Sequence, residues 1–299
     1  MKKALKGIMI SSAAILLLIS PAQAERDFSE TIIKTQKVTD SVYMITGEGG
    51  NIAISVGKDG IMMVDDQFAE LHPKILAAIK DISIGPIEFV LNTHWHGDHT
   101  GGNEMMRAAG AHILAHENVR KRLSTRQVRE MVGRTSEARP EEALPVVTFN
   151  EGITLHFNEE TIDVVHFGPG HTDGDSVVFF KEANVIHMGD LFFQGRFPYI
   201  DLDSGGSVEG YLQNIQLVLD QTNGQTKIIP GHGSLSRQSD LIAFREMIQT
   251  STNIVKNAIK EGISLKELLE ENPLEAYADW GTGFINLERW LNTLYKYYQ

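Results

Sequence analysis

A chain of 299 residues that is 42% hydrophobic and 22% charged can bury a sizeable core. It has no cysteine, which excludes disulfides, lipidation at Cys and thiolate metal ligands. A formal net charge of −12 works against nucleic acid or an anionic membrane as partner and favours a small-molecule substrate.

Residues 1–24, MKKALKGIMISSAAILLLISPAQA, place Lys2, Lys3 and Lys6 before the apolar run Ile8 to Ile19 and end on Ala22-Gln23-Ala24. This is the pattern of a cleavable signal peptide, with cleavage after Ala24 and a periplasmic or secreted product. The run is too short for a stable membrane anchor, since a span needs roughly 20 residues. Residues 25–299 are then read as a single domain.

Residues 36–66 read as strands joined by Gly-rich turns: KVTDSVYMITG, NIAISVG and GIMMVDD. LHPKILAAIKDI reads as a helix with Pro73 early, where proline is tolerated. IEFVLN (87–92) is a buried strand, GGNEMMRAAG a helix and AHILAH (111–116) another strand. Residues 117–145 are charged and helix-prone, and read as a mostly exposed insertion that could overhang a pocket. ITLHF, TIDVVHF, DSVVFF and NVIHM follow as strands. The helix SVEGYLQNIQLVLDQ, the strand TKIIP and a long helix from near Ser239 come next. A helical tail, 263–299, carries Trp280 and Trp290, which should pack onto the body. Each half runs strands first, then alternates strand and helix, which implies two β layers face to face with helices outside.

THWHGDHTGGN (93–103) crowds His94, His96, Asp98 and His99 into six positions at the end of a strand. His94 and His96 are two apart, so on extended chain they point the same way and can grip one ion. Trp95 between them should face the opposite side and pack as core. Three more ligand types occupy Gly-rich loops after strands: His171 in GPGHTDGD, Asp190 in HMGDLFF and His232 in PGHG. His94, His96 and His171 would hold one ion and leave a position open. Asp98, His99 and His232 would hold a second, and Asp190 could bridge both. Nitrogen and carboxylate donors without thiolate suit two Zn²⁺ per chain, with Mn²⁺ or Fe as alternatives. Asp98 and Asp190 are the candidate catalytic carboxylates. The other histidines (72, 112, 116, 156, 166 and 187) read as structural, with His116 and His187 nearest the ligand loops. Asp173 and Asp175 read as turn formers.

HWHGDH, followed in order by GHT, GD and GHG, resembles the metallo-β-lactamase superfamily over residues 38 to 235. The resemblance implies an αββα sandwich: an α/β fold of two mixed β-sheets with outer helices and the metals at one edge. It marks Asp65, after GIMMV, as the carboxylate steadying the site, although Asp65 and Asp66 could also simply cap a turn. Flavodiiron relatives carry Glu in place of the second histidine, so His96 points to the hydrolase branch. The implied chemistry is attack of a metal-activated hydroxide on a small acyl substrate. Zinc β-lactamases place Cys where Asp190 stands and Lys where Phe193 stands. The Asp bridge is instead what thioesterases and lactonases use. The export signal and DLFFQGRFPYID favour a β-lactamase-like periplasmic hydrolase; a thioesterase, a lactonase or a non-catalytic accessory protein are the alternatives. Arg196 is a candidate anchor for an acidic substrate, or half of a structural ion pair.

Overall fold

The computed structural model describes residues 27–299, so the signal-peptide expectation for 1–24 lies outside the described residues. The fold is that of Thr31–Gln299, which cluster as one unit. Strand β1 (Lys34–Lys37) turns through Thr39–Ser41 into β2 (Val42–Thr46), with the Val38 and Thr39 amides both donating to the Val42 carbonyl. KVTDSVYMITG is therefore the turn of a hairpin and its second strand, not one strand. Its Thr-Asp-Ser centre supplies the turn chemistry. Strands β3 (Ile52–Gly57) and β4 (Gly60–Val64) continue the antiparallel meander.

Helix α1 (His72–Lys80), with Pro73 in its first turn, crosses to β5 (Ile87–Asn92), which runs parallel to β4. A short turn of helix α2 (Gly97–Thr100) and α3 (Asn103–Ala108) lead to β6 (His112–His116), again parallel. The insertion departs from expectation. After α4 (Glu117–Leu123) it forms a small antiparallel hairpin, β7 (Gln127–Arg129) and β8 (Arg134–Ser136), closed by Gly133 at φ 62°. A left-handed glycine ends helical continuation there, and the β-branched Val128 and Thr135 pair across the ladder. Strand β9 (Val147–Phe149) completes a seven-stranded mixed sheet in the order β1-β2-β3-β4-β5-β6-β9.

The second sheet holds β10 (Gly152–Phe157), β11 (Glu160–Val165), β12 (Val177–Phe180) and β13 (Val185–His187). Helix α5 (Val208–Leu219) then precedes β14 (Lys227–Ile229), parallel to β13, and β15 (Ser236–Arg237) closes the mixed, six-stranded sheet. Helices α6 (Gln238–Glu261), α7 (Leu265–Glu271) and α8 (Leu287–Tyr298) end the chain.

Strand β12, VVFF, shows why both faces of this sheet are covered. Val178 and Phe180 join Val42, Met62, Leu91 and Leu114 of the first sheet in the inter-sheet core. Val177 and Phe179 face the other way, into a cluster with Tyr211, Phe244, Met247 and Trp290 from the helices. Unbroken apolar strands are the consequence of burial on both sides. Each fully buried aliphatic or aromatic side chain contributes about 1.5–3 kcal/mol. Trp290 is fully buried and stacks on Phe197 (6.1 Å), and Trp280 stacks on Phe244 (6.3 Å). The tail therefore packs on the body as expected. Two mixed sheets with outer helices make the αββα sandwich. Among the described residues, no helix is long and apolar enough to cross a membrane.

Candidate metal centre

Strands β4, β5, β11, β13 and β14 each deliver one segment of the site at their C-terminal ends: Asp65, Thr93–His99, His171, Asp190 and His232. The structure brings together the seven residues singled out by sequence. His94, His96, His171 and Asp190 form one group of ligand atoms, and Asp98, His99 and His232 a second, each within 4.8 Å.

The atoms that converge are specific. His94 Nε2 lies 3.1 Å from His96 Nδ1, which lies 2.9 Å from His171 Nε2. His99 Nε2 and His232 Nε2 are 3.4 Å apart. Two nitrogens ~2.0–2.1 Å from one tetrahedral ion sit roughly 3.3 Å apart, so these spacings fit a shared cation. Asp190 stands between the groups. Its Oδ2 faces His171 (3.5 Å) and His94 (3.8 Å), while Oδ1 faces His99 (3.1 Å) and His232 (3.4 Å). Oδ1 is buried with no hydrogen-bond partner, an expensive state for a carboxylate oxygen unless a cation meets it. The donor set and this orphaned oxygen fit divalent metal.

Four of the five ligand histidines are aimed by a partner on the other ring nitrogen. His99 Nδ1 donates to Asp65 Oδ2 (2.7 Å), and His171 Nδ1 to the Tyr199 carbonyl (2.5 Å). Asp65 also accepts from the Thr93 amide (2.7 Å) and hydroxyl (2.8 Å), and Thr93 Oγ1 touches His94 Nδ1 (3.1 Å). Asp65 thus orients two ligands of the Thr93–His99 segment, at a left-handed φ of 63° that a non-glycine residue adopts only under constraint. His96 Nε2 donates to Asp201 Oδ2 (2.8 Å). Asp201 escaped sequence reasoning because 105 residues separate it from His96. The only available sign was its place in DLFFQGRFPYID. Asn51 was missed likewise: its Nδ2 donates to Pro230 O (2.8 Å) and Gly233 O (2.9 Å), bracing the loop that carries His232.

Two glycines are required by close approach. A Cβ at Gly50 would strike the His99 ring, and one at Gly231 would strike Asp190 Oδ1.

Charge reinforces the geometry. Burial holds His94 well below its ordinary range and His96 down at about 4, so both stay neutral donors. In the second group burial opposes charge, but Asp190 and Asp98 together overcome it and raise His232 to about 9. His99 rises for the same reason, with Asp190, Asp65 and Asp98 overcoming burial. Burial would raise Asp190 and Asp98, yet the surrounding histidines hold both well below the usual carboxylate range. These carboxylates demand positive charge, and a divalent ion supplies it while displacing the protons.

The opening is at the second group. Asp98 and His232 keep 30% and 18% side-chain exposure, whereas the other five are sealed. A cleft of ≈ 600 Å³ adjoins His232 and is lined by Gly47–Gly49, Lys34, Arg196 and Ser234. Phe193 stacks flat on the His232 ring (5.2 Å, 11°). The Arg196 side chain is exposed, and among the described residues no carboxylate pairs with it; the structural ion-pair alternative is not realised.

Apart from His72, the remaining histidines have structural partners or face solvent. His116 Nδ1 caps α4 through the Asn118 amide (3.2 Å), and His166 stacks on it (4.1 Å). His187 bridges the Asn51 carbonyl (2.9 Å) and the Gly189 amide (3.1 Å). His72 is buried, while His112 and His156 are exposed. Trp95 packs with Val119, Leu123 and Leu144 behind the ligands. Asp175 does form the turn, accepting from the Thr172 amide and hydroxyl. Asp173 instead makes a bidentate pair with Arg122 (2.6 and 2.7 Å), a role its turn-like setting did not suggest.

The sequence profile of the metallo-beta-lactamase superfamily matches residues 41–232. The chain belongs to this superfamily. Its similarity to the metallo-beta-lactamase type 2 of Bacillus cereus is 22% identity over 263 residues, covering 81% of this chain and 97% of that protein. A hydroxyacylglutathione hydrolase of Erythrobacter litoralis is 32% identical over 108 residues, 36% of this chain and 35% of that protein. The metallo-beta-lactamase from Pontibacter korlensis shares the fold with TM-score 0.62 at 20% identity, covering 73% of this chain and 99% of that one. The αββα fold and the His/Asp site are thus those of a superfamily hydrolase.

Asp201 supplies a prediction at this site. Asp201→Asn removes the charge that orients His96 and should weaken metal affinity about tenfold, by the usual scale for partners of ligand histidines. Competition with a chromophoric chelator measures it, and unchanged affinity would show that Asp201 is only a loop-former.

Proposed function

We propose that this chain is an exported dinuclear zinc hydrolase acting on small acyl substrates, β-lactamase-like in type. The observation that carries the reading is Asp190, whose two oxygens face the two ligand groups and leave Oδ1 unpartnered. Mn²⁺ or Fe fits the same donors. When bound, the ions supply Lewis acidity and a water activated for attack at neutral pH.

The chain's own groups do the rest. His94, His96 and His171 would hold one ion, whose Lewis acidity would act on the substrate carbonyl lying beside them. Asp98, the most open carboxylate, orients water entering from the cleft. Asp98, His99 and His232 form the side where the leaving heteroatom departs. Phe193 excludes water from one face of His232. Arg196, exposed on the cleft, anchors a carboxylate on the leaving-group side. The signal-like residues 1–24 support export.

β-Lactams, thioesters and lactones all suit this arrangement. A thioesterase is the second reading, favoured by the aspartate at 190 and the hydroxyacylglutathione hydrolase relatives. A hydrolysis panel of a penicillin, a homoserine lactone, a glutathione thioester and a phosphodiester on metal-loaded protein tests the proposal. With Phe193 where a lysine would grip the substrate, penicillin turnover should be limited by a high KM. Arg196→Ala should raise that KM about tenfold and spare neutral esters, as expected for a lost charge-assisted contact. Turnover of the phosphodiester alone contradicts the proposal, and sub-micromolar penicillin binding unaffected by Arg196→Ala contradicts the anchor.

A further inference from the structure

The β7–β8 hairpin brings a cation to the opposite flank of the site. Arg129, at the end of β7, lies with its guanidinium carbon 5.0 Å from the centre of the Trp95 ring, whose own centre is 4.8 Å from that of His96. The Arg129 Nε is buried without a hydrogen-bond partner, and Nη2 reaches only Ser136 Oγ at 3.4 Å. Among the described residues, no carboxylate lies within ion-pair distance of it. Tyr199 stands on the same flank, its ring 5.7 Å from both His96 and His171. Its hydroxyl is buried and faces the Asp201 carboxylate, and burial together with that carboxylate raises it above its ordinary range. Both arginine and tyrosine are close enough to matter electrostatically: after burial and Asp201, Arg129 is among the charges acting on the Tyr199 hydroxyl.

A buried arginine nitrogen without a hydrogen-bond partner is costly unless a ligand meets it. The hairpin is tied to the body in a way that presents it. The Met131 amide donates to Asp203 Oδ2 (3.0 Å), and Arg134 stacks on Phe284 (5.0 Å), which meets Tyr199 edge-on (5.8 Å). Arg129 is the cation that acts on this flank, beside the Asp201 and Asp203 carboxylates, which are already engaged by His96 and the Met131 amide.

We propose that Arg129 is a specificity-determining residue that binds a carboxylate on the acyl side of the substrate. The preferred substrates are then half-esters or half-thioesters of dicarboxylic acids. The inference rests on the hydrolase reading, because that reading puts the acyl part beside His94, His96 and His171. Arg196, beside His232, faces the leaving group instead, so the two arginines recognise different ends.

The test compares p-nitrophenyl succinate, anionic on its acyl side, with neutral p-nitrophenyl butyrate on the metal-loaded protein. Arg129→Gln should raise KM for the succinate half-ester about 10- to 100-fold, the scale of a lost charged hydrogen bond, with kcat nearly unchanged. KM for butyrate should not move, and Arg129→Lys should recover part of the loss. Penicillin, whose carboxylate lies on the leaving-group side, should respond to Arg196→Ala and not to Arg129→Gln. Equal KM increases for both esters would reveal a merely structural clamp on Trp95 and overturn the proposal, as would no change for the half-ester. If neither ester is hydrolysed, the acyl-hydrolase reading fails for these substrates, and calorimetric binding of glutarate still decides the subsite. A Kd weakened about tenfold or more by Arg129→Gln supports it, and an unchanged Kd overturns it.

Discussion

Asp190→Asn is expected to lower kcat/KM at least about 1000-fold, equivalent to roughly 4 kcal/mol of transition-state stabilisation. The reason is positional. Asp190 offers one oxygen to each ligand group, and an amide can offer only one oxygen and no negative charge. His99 and His232 would lose the carboxylate that most strongly favours positive charge beside them. The Tyr211 hydroxyl still holds the residue-190 carbonyl (2.6 Å), so the loop should keep its course and the loss should be chemical. Steady-state kinetics with metal content measured on the same samples checks this. His112→Ala and His156→Ala, both at exposed positions, serve as controls and should change turnover less than twofold. Comparable losses in all three variants would mean that the ligand set has been misread.

Chelation should have the second large effect: loss of hydrolysis and a fall in melting temperature on the order of 10 °C. Asp65, Asp98 and Asp190 bring three carboxylates to one edge of the sandwich, two of them nearly sealed from water. Without cations their repulsion is relieved only by protons on His99 and His232. A ligand present at 1000 times its Kd stabilises the folded state by about 4 kcal/mol, and removing it gives that back. Differential scanning fluorimetry with and without chelator, followed by zinc add-back, measures the effect. An unchanged melting temperature would indicate a site that contributes nothing to the fold.

The ligands were legible in sequence because each is a local event. HWHGDH, GHT, GD and GHG each combine a strand end, a glycine and a donor, and such combinations do not depend on distant chain. Trp95 could be assigned to the core for the same reason, since alternation along an extended segment decides its face. Asp201, Asn51 and the Arg122–Asp173 pair were not legible, because their partners lie 51 to 182 residues away. Nothing in their immediate neighbours distinguishes them from surface polar residues. The hairpin at Gln127–Ser136 was masked by composition: Arg and Glu favour helix, while Gly133 and two β-branched residues decide the local conformation. The break between Lys37 and Val42 was hidden because the first strand, Lys-Thr-Gln-Lys, is polar and exposed and gives no apolar alternation of its own. Long-range partners therefore had to come from the structure, and these carry the orientation of the ligands and the proposed selectivity.

The central claim is that seven side chains, bridged by Asp190, hold two metal ions per chain. Elemental analysis of protein purified without chelator from metal-replete medium tests it most directly. The arrangement predicts close to two equivalents of zinc per chain, falling sharply in Asp190→Asn; one equivalent or fewer in the unaltered protein would contradict it.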